Sequence, residues 1–158
     1  IGVRLVGSEM CIRDRSWDDE NYYLIAYDSV EHIIKHFRVD KMLHIKSIKK
    51  FREGKKSFNN FDMAAYARKM FGMYGGKEEY VHIKCDNSLA GVMIDRFGKD
   101  VSMVRLDEEH FVTNVEVSVS RQFLAWVIGL GEGVTILGPQ SVVDMMKEEI
   151  KRLTNQYE

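Results

Sequence analysis

The chain has 158 residues, of which 45% are hydrophobic and 30% charged, proportions typical of a soluble globular protein. No apolar run approaches the roughly 18 residues that a membrane-spanning helix requires. The two cysteines, Cys11 and Cys85, lie far apart and provide neither a disulfide framework nor a metal-binding spacing. We therefore expect a protein of the reducing cytoplasm that has no membrane contact.

The formal net charge is only −1, but the positive charges are concentrated in one segment. Residues 35–56 contain nine lysines and arginines and only two acids. A basic segment of this kind creates a field that attracts anionic ligands. The alternative is a solvated, lysine-rich edge strand, since lysines on a sheet edge also prevent pairing with other chains.

The first 15 residues differ in character from those that follow. Residues 6–15 read V-G-S-E-M-C-I-R-D-R, which resembles translated library-adapter sequence, and the segment lacks the regions of a secretory signal. We expect residues 1–15 to be a non-native leader that packs poorly, with a genuine first strand over residues 1–6 as the alternative. Residues 16–21 are rich in Asp and Asn, which predicts a polar turn.

The next segment carries the pattern of a β-hairpin. Two runs rich in aromatic and β-branched residues, 22–27 and 33–39, flank a short polar connection. Alternation in the second run places Lys35 and Lys41 on one face and Arg38 on the other. The hairpin could hold these cations rigidly, as an anion site requires, or its charges could simply face water.

The same residues resemble the signature of the WYL domain. Residues 22–28 read Y-Y-L-I-A-Y-D, and residues 35–42 read K-H-F-R-V-D-K-M. The family's strand begins Trp-Tyr-Leu and precedes an Arg-x-Phe-Arg-x-Asp-Arg-Ile-like run, so Tyr22 replaces the tryptophan and two lysines replace arginines. WYL domains are the sensory part of many bacterial transcription regulators, where an Sm-like β-barrel binds nucleic acid or nucleotide ligands.

The resemblance implies a ligand with phosphates, such as single-stranded DNA or a nucleotide second messenger. Arg38 would bind a phosphate through charge-assisted hydrogen bonds, and Lys35 and Lys41 would add positive potential. Lysine lacks the planar fork of arginine, so it would read phosphate geometry less strictly. Tyr23 or Tyr27 would offer a hydroxyl group or a stacking face to a base. The candidate ligand-binding residues are Tyr23, Tyr27, Ser29, Lys35, Arg38 and Lys41.

A third strand and a helix are predicted after the hairpin. Residues 42–51 alternate as a strand with an irregularity near Ser47, and residues 52–60 have the composition of a linker. Residues 61–74 favour a helix that Asn60 or Asp62 caps and that Gly72 ends. The F-G-M-Y run in this helix, followed by two glycines, is similar to the end of the connecting helix in WYL proteins.

The remainder, residues 79–158, has the pattern of a small α/β domain. Its order of strand, helix, strand, strand, helix and strand is the split βαβ arrangement of ferredoxin-like folds, followed by a closing helix. The domain resembles the C-terminal extension of WYL regulators, which contributes to dimer contacts and ligand access. The predicted strands are 80–85, 101–106, 111–119 and 134–137, and the predicted helices are 87–97, 120–130 and 140–157.

No pattern indicates catalysis, a metal or a cofactor. The glycines of residues 129–133 follow a helix, whereas those of a dinucleotide site follow a strand. The acids at 107–109 could hold a hard cation, but a solvated turn is the expectation. The five histidines are scattered, and no Ser–His–Asp or Cys–His arrangement stands out. We therefore predict that the protein is not an enzyme and binds no cofactor.

The predicted fold is α+β, with a partial Sm-like β-barrel, a connecting helix and a ferredoxin-like βαββαβ domain. The boundaries are a leader at 1–15, the partial WYL domain at 16–54, the linker and helix at 55–78, and the extension at 79–158. The implied function is the ligand-sensing region of a homodimeric transcriptional regulator whose promoter DNA is bound by a helix-turn-helix domain absent from this chain. A structural dimerisation module and a free-standing RNA-binding barrel remain open as alternatives.

Overall fold

The computed structural model describes residues 15–18, 21–28, 31–45, 62–72 and 76–158. The chain divides into two compact units, Ile1–Ala67 and Arg68–Glu158. Residues 1–14 of the predicted leader and all of the predicted linker 52–60 lie outside the described residues.

The N-terminal unit contains a three-stranded antiparallel sheet. Its strands are β1 (Arg15–Asp18), β2 (Asn21–Asp28) and β3 (Ile33–Arg38), arranged in that order. Three consecutive residues of the central strand, Leu24 to Ala26, are buried, so both faces of β2 are covered. The two strands of the predicted hairpin are therefore confirmed.

Two expectations about this unit are wrong. Residues 15–18 pair with β2 instead of forming a turn, because backbone groups of any residue type can complete an antiparallel ladder. No strand follows β3 within residues 42–45, because Val39–Lys41 forms a 3-10 helix that ends the extended run. His44 then adopts a φ of 56°, which an extended strand cannot accommodate. Residues 46–51 lie outside the described part of the chain.

The connecting helix α1 spans Met63–Lys69 and is shorter than predicted. Its start follows the predicted cap, because the Ala65 backbone N–H donates to Asp62 Oδ1 at 3.1 Å. It ends before Gly72 because the chain leaves the helix at Met70, which is buried, and Phe71 then packs in the core of the C-terminal unit. Burial of these two apolar side chains outweighs the local preference for a longer helix.

The C-terminal unit has the predicted ferredoxin-like topology. The elements are β4 (Lys77–Asp86), α2 (Ala90–Phe97), β5 (Met103–Arg105), β6 (His110–Val119), α3 (Arg121–Gly129), β7 (Val134–Gly138) and α4 (Gln140–Tyr157). The sheet is antiparallel throughout, in the order β5-β6-β4-β7. The two strands that each helix connects are therefore separated by one other strand of the sheet. The closing helix α4 has the predicted bounds.

Alternating residues of β4 and β6 form the core of this unit, together with buried residues of α2 and α3. Phe71 joins that core: its ring centroid lies 5.2 Å from that of Phe123 and 5.3 Å from that of Trp126. The Arg96 guanidinium carbon lies 4.0 Å above the Phe71 ring, and Arg96 Nη2 donates to the Met70 carbonyl. In the described part of the chain, no helix combines the length and apolar character needed to cross a membrane.

Candidate ligand-binding site

The pairing of β2 with β3 decides which candidate residues share a face of the sheet. Tyr23 lies opposite Arg38 and Tyr27 lies opposite Ile34, so both tyrosines project to the same side as Arg38. Lys35 lies opposite Ala26 and projects to the other side. The hairpin therefore brings Tyr23 and Arg38 together and separates Lys35 from them.

At the end of β3, Arg38 donates hydrogen bonds to the side chains of Asp40 and Asn21. Its Nε donates to Asp40 Oδ1 at 3.0 Å, and its Nη2 donates to Asp40 Oδ2 at 2.9 Å. The same Nη2 donates to Asn21 Oδ1 at 2.7 Å. The Arg38 side chain remains 40% exposed. The hydrogen bond from Arg38 is the main reason why the pKa of Asp40 lies below its usual range.

The 3-10 helix that follows β3 places Lys41 beside the ion pair of Arg38 and Asp40. Its Nζ lies 3.5 Å from Asp40 Oδ2, the oxygen that also accepts from Arg38, and its side chain is 71% exposed. The expectation that Lys41 shares a face with Lys35 is wrong, because regular alternation ends at Arg38. The change in backbone conformation thus brings Lys41 to the same carboxylate as Arg38.

Lys35 is paired with two acids of the hairpin. Its Nζ lies 2.7 Å from Asp28 Oδ2 and 2.7 Å from Glu31 Oε1. The hydrogen bond to Asp28, followed by that to Glu31, raises the pKa of Lys35 above its ordinary value. These contacts tie the end of β2 to β3, which gives Lys35 a role in stabilising the hairpin connection.

The remaining candidates have different surroundings. Tyr23 is half-buried, as is Tyr27, whose hydroxyl lies 3.0 Å from His32 Nδ1. Ser29 lies outside the described residues. His32 has a φ of 57°, a conformation that fits the reversal of the chain between the two strands.

Several residues of this region carry no signal that would select them from sequence. The His36 Nε2 atom lies 2.9 Å from the Tyr66 hydroxyl, and their ring centroids are 5.6 Å apart. The two residues are 30 positions apart, so no local pattern connects them. Asn21 and Asp40 flank the predicted strands as ordinary polar residues. The strand pairing brings Asn21 to Arg38, and the 3-10 helix after β3 brings Asp40 to it.

The C-terminal unit has an apolar groove on one side of its sheet and an acidic turn at the tip of a hairpin. An apolar groove of about 510 Å³ lies between α3, β7 and α4, and the exposed Ile150 and Lys147 are among the residues that line it. The acidic tip of the β5–β6 hairpin is a solvated turn, as predicted, in which Asp107 Oδ1 accepts from the backbone N–H groups of Glu109 and His110. Within the described residues, no three potential ligands are grouped as a metal site.

Comparison with known proteins identifies the C-terminal unit. Residues 77–154 match the family model of the WCX domain. This part of the chain is a WCX domain, the C-terminal extension of WYL proteins. The match confirms the extension expected for the C-terminal part of the chain. The WCX domain contains the whole four-stranded sheet and most of α4.

The comparisons with whole proteins are more distant. No curated protein matches the chain. Among solved structures, proteasome accessory factor B/C (PafBC) of Arthrobacter aurescens matches 92% of this chain with 18% sequence identity and a TM-score of 0.46. The chain spans 22% of the length of that protein.

Proposed function

We propose that this chain is the ligand-sensing region of a DNA-binding transcriptional regulator of the WYL type. The WCX domain at residues 77–154 supports the regulatory class, and the WYL-like runs on β2 and β3 support the sensory role. In this proposal promoter DNA is bound by a helix-turn-helix domain elsewhere in the full-length protein, and the regulator is a homodimer.

The observation that carries the proposal is the arrangement of Tyr23, Arg38 and Lys41. Tyr23 and Arg38 are cross-strand partners on one face, and Lys41 reaches the carboxylate that Arg38 also binds. A planar guanidinium beside a second cation binds phosphate oxygens, and a neighbouring aromatic ring stacks on a base. These groups suit a single-stranded nucleic acid or a nucleotide.

Lys35 is assigned a supporting role instead of a direct contact. It lies on the opposite face from Arg38 and is already bound to Asp28 and Glu31. Its charge still adds to the positive potential of the basic segment. Binding of the effector would shift the dimer between two arrangements, provided that the effector has a higher affinity for one of them.

The direct test is Arg38→Ala in a fluorescence anisotropy titration with a fluorescein-labelled oligonucleotide of ten thymidines. Loss of a charge-assisted hydrogen-bonding group costs about 1.5–3 kcal/mol, so affinity should fall roughly 10- to 100-fold. The matched control is Arg121→Ala, which removes an exposed arginine from the WCX domain. Equal affinity for wild type and Arg38→Ala, or an equal loss in both variants, would refute the assignment.

The second candidate function is a dimerisation module without a ligand. The apolar groove beside α4 favours it, because Ile150 is 52% exposed there. The dependence on salt separates the two functions: binding of a polyanion weakens steeply as salt rises, whereas apolar association does not. The experiment is the same titration, together with sedimentation of the free protein, at 50 and 300 mM salt.

A further inference from the structure

We propose that Asp40 occupies the phosphate position of the Arg38 site when no ligand is bound, so that an incoming anion must displace it. The inference rests on the proposed function, since it assumes that Arg38 binds the effector. It adds that the Asp40 carboxylate competes with the ligand for Arg38 and so lowers the affinity of the site.

The hydrogen bonds of Arg38 have the geometry of phosphate recognition. Nε and Nη2 lie on one edge of the guanidinium group, and each donates to a different oxygen of the same Asp40 carboxylate, at 3.0 and 2.9 Å. Arginine binds phosphate through the same pair of parallel bonds. Lys41 adds a third cationic donor 3.5 Å from Asp40 Oδ2. The carboxylate thus stands where two oxygens of a phosphate group would lie.

The backbone explains why Asp40 can reach this position. In a regular strand, residues two apart point to the same face but are separated by nearly 7 Å along the chain. Here β3 ends at Arg38, and Asp40 is the middle residue of the 3-10 helix Val39–Lys41. A 3-10 helix rises only about 2 Å per residue, which brings the carboxylate back to the guanidinium group.

The contact is suited to exchange. The side chains of Arg38 and Asp40 are 40% and 49% exposed, and ion pairs at such exposure contribute little net stability. A ligand can therefore replace Asp40 without unfolding the hairpin. Asn21 is half-buried and accepts from Arg38 Nη2 at 2.7 Å, so it keeps the guanidinium group in place while the carboxylate moves away.

Displacement of Asp40 also leaves a negative charge beside the bound ligand. The displaced Asp40 carboxylate no longer contacts Arg38 and Lys41, and its charge repels the bound phosphate. Asp40 therefore lowers the affinity for the ligand both by competition and by repulsion. This arrangement disfavours anions that bind weakly or through a single oxygen. Only a group that offers one oxygen to Arg38 Nε and another to Arg38 Nη2 replaces both hydrogen bonds that Arg38 loses when Asp40 moves away.

The test is the affinity of Asp40→Asn for the fluorescein-labelled oligonucleotide of ten thymidines. Asparagine removes the charge and keeps the shape, and we expect affinity to rise about fivefold relative to wild type. The matched control is Glu31→Gln, which makes the same charge change in the same hairpin beside Lys35. The inference predicts that Glu31→Gln changes affinity much less.

A double-mutant cycle links the gain to Arg38. In the Arg38→Ala background, the Asp40→Asn substitution should improve binding much less, because the competition for Arg38 is absent and only the repulsion of the ligand by Asp40 is relieved. Thermal unfolding of each variant checks that the hairpin remains folded.

The outcomes separate the inference from the proposed function. If wild type binds through Arg38 but Asp40→Asn binds no more tightly, the proposed function stands and the inference fails. The inference also fails if Glu31→Gln produces the same gain. If neither wild type nor Asp40→Asn binds the oligonucleotide, both are rejected. Binding by Asp40→Asn alone supports both.

Discussion

Truncation of Phe71 should strongly destabilise the C-terminal unit, although the residue lies just beyond the connecting helix. Phe71 is 4% exposed and contacts the rings of Phe123 and Trp126, with Arg96 above its face. Phe→Ala substitutions in a core cost about 3–5 kcal/mol, and aromatic contacts contribute part of this loss. We therefore expect Phe71→Ala to lower the free energy of unfolding by about 4 kcal/mol.

Urea unfolding followed by the fluorescence of Trp126, in a Trp17→Phe background that removes the tryptophan of the N-terminal unit, measures this loss within the unit that contains Trp126. With an m-value of about 2 kcal/mol/M, the midpoint should fall by about 2 M. The control Tyr157→Ala removes an aromatic residue that is 82% exposed and should change the free energy by less than about 0.5 kcal/mol. A loss below about 1 kcal/mol for Phe71→Ala would refute the assignment of this segment to the core.

Two further predictions concern ionisable groups of the same unit. Burial raises the pKa of the Cys85 thiol to about 11. In a Cys11→Ser background, we therefore expect a disulfide reagent at pH 8 to modify the protein only after urea unfolding. Rapid reaction of the native protein would contradict this prediction. The backbone N–H of Glu109, and then the side chain of His110, lower the pKa of Asp107 from its ordinary 3.8. The stabilisation from Asp107 is therefore present above pH 3.8 and lost as the pH falls through the lower folded value. The melting temperatures of wild type and Asp107→Asn should therefore converge as the pH is lowered. A constant difference in melting temperature down to pH 2 would show that the ionised Asp107 carboxylate is not the source of the stabilisation.

The C-terminal unit is predictable from sequence because its signals are local. The helix α4 begins directly after Gly138-Pro139, a typical start signal, and has the predicted bounds, Gln140–Tyr157. Ser120 caps α3, since its Oγ accepts from the Phe123 backbone N–H, and serine is a residue that favours this position. Strand and helix periods differ clearly throughout this unit, so the order of elements, and with it the ferredoxin-like topology, follows from the pattern.

The N-terminal sheet is less predictable because its limits depend on partners and backbone turns. The polar strand Arg15–Asp18 exists through its pairing with β2, which composition does not reveal. The alternation of side chains along β3 correctly predicts that Arg38 and Lys35 lie on opposite faces of the sheet. It fails for Lys41, because nothing in the local sequence marks the 3-10 helix that starts at Val39.

Binding of a phosphate by Arg38 can be observed directly through the NMR resonance of the Arg38 Nε–H group during titration with the ten-thymidine oligonucleotide. We expect a saturable shift of this resonance, assigned through its absence in Arg38→Ala, as the donor changes partner from Asp40 to phosphate. The Arg121 resonance should not move, because that side chain lies in the WCX domain. Binding of the oligonucleotide with an unchanged Arg38 resonance would show that Arg38 does not bind its phosphates.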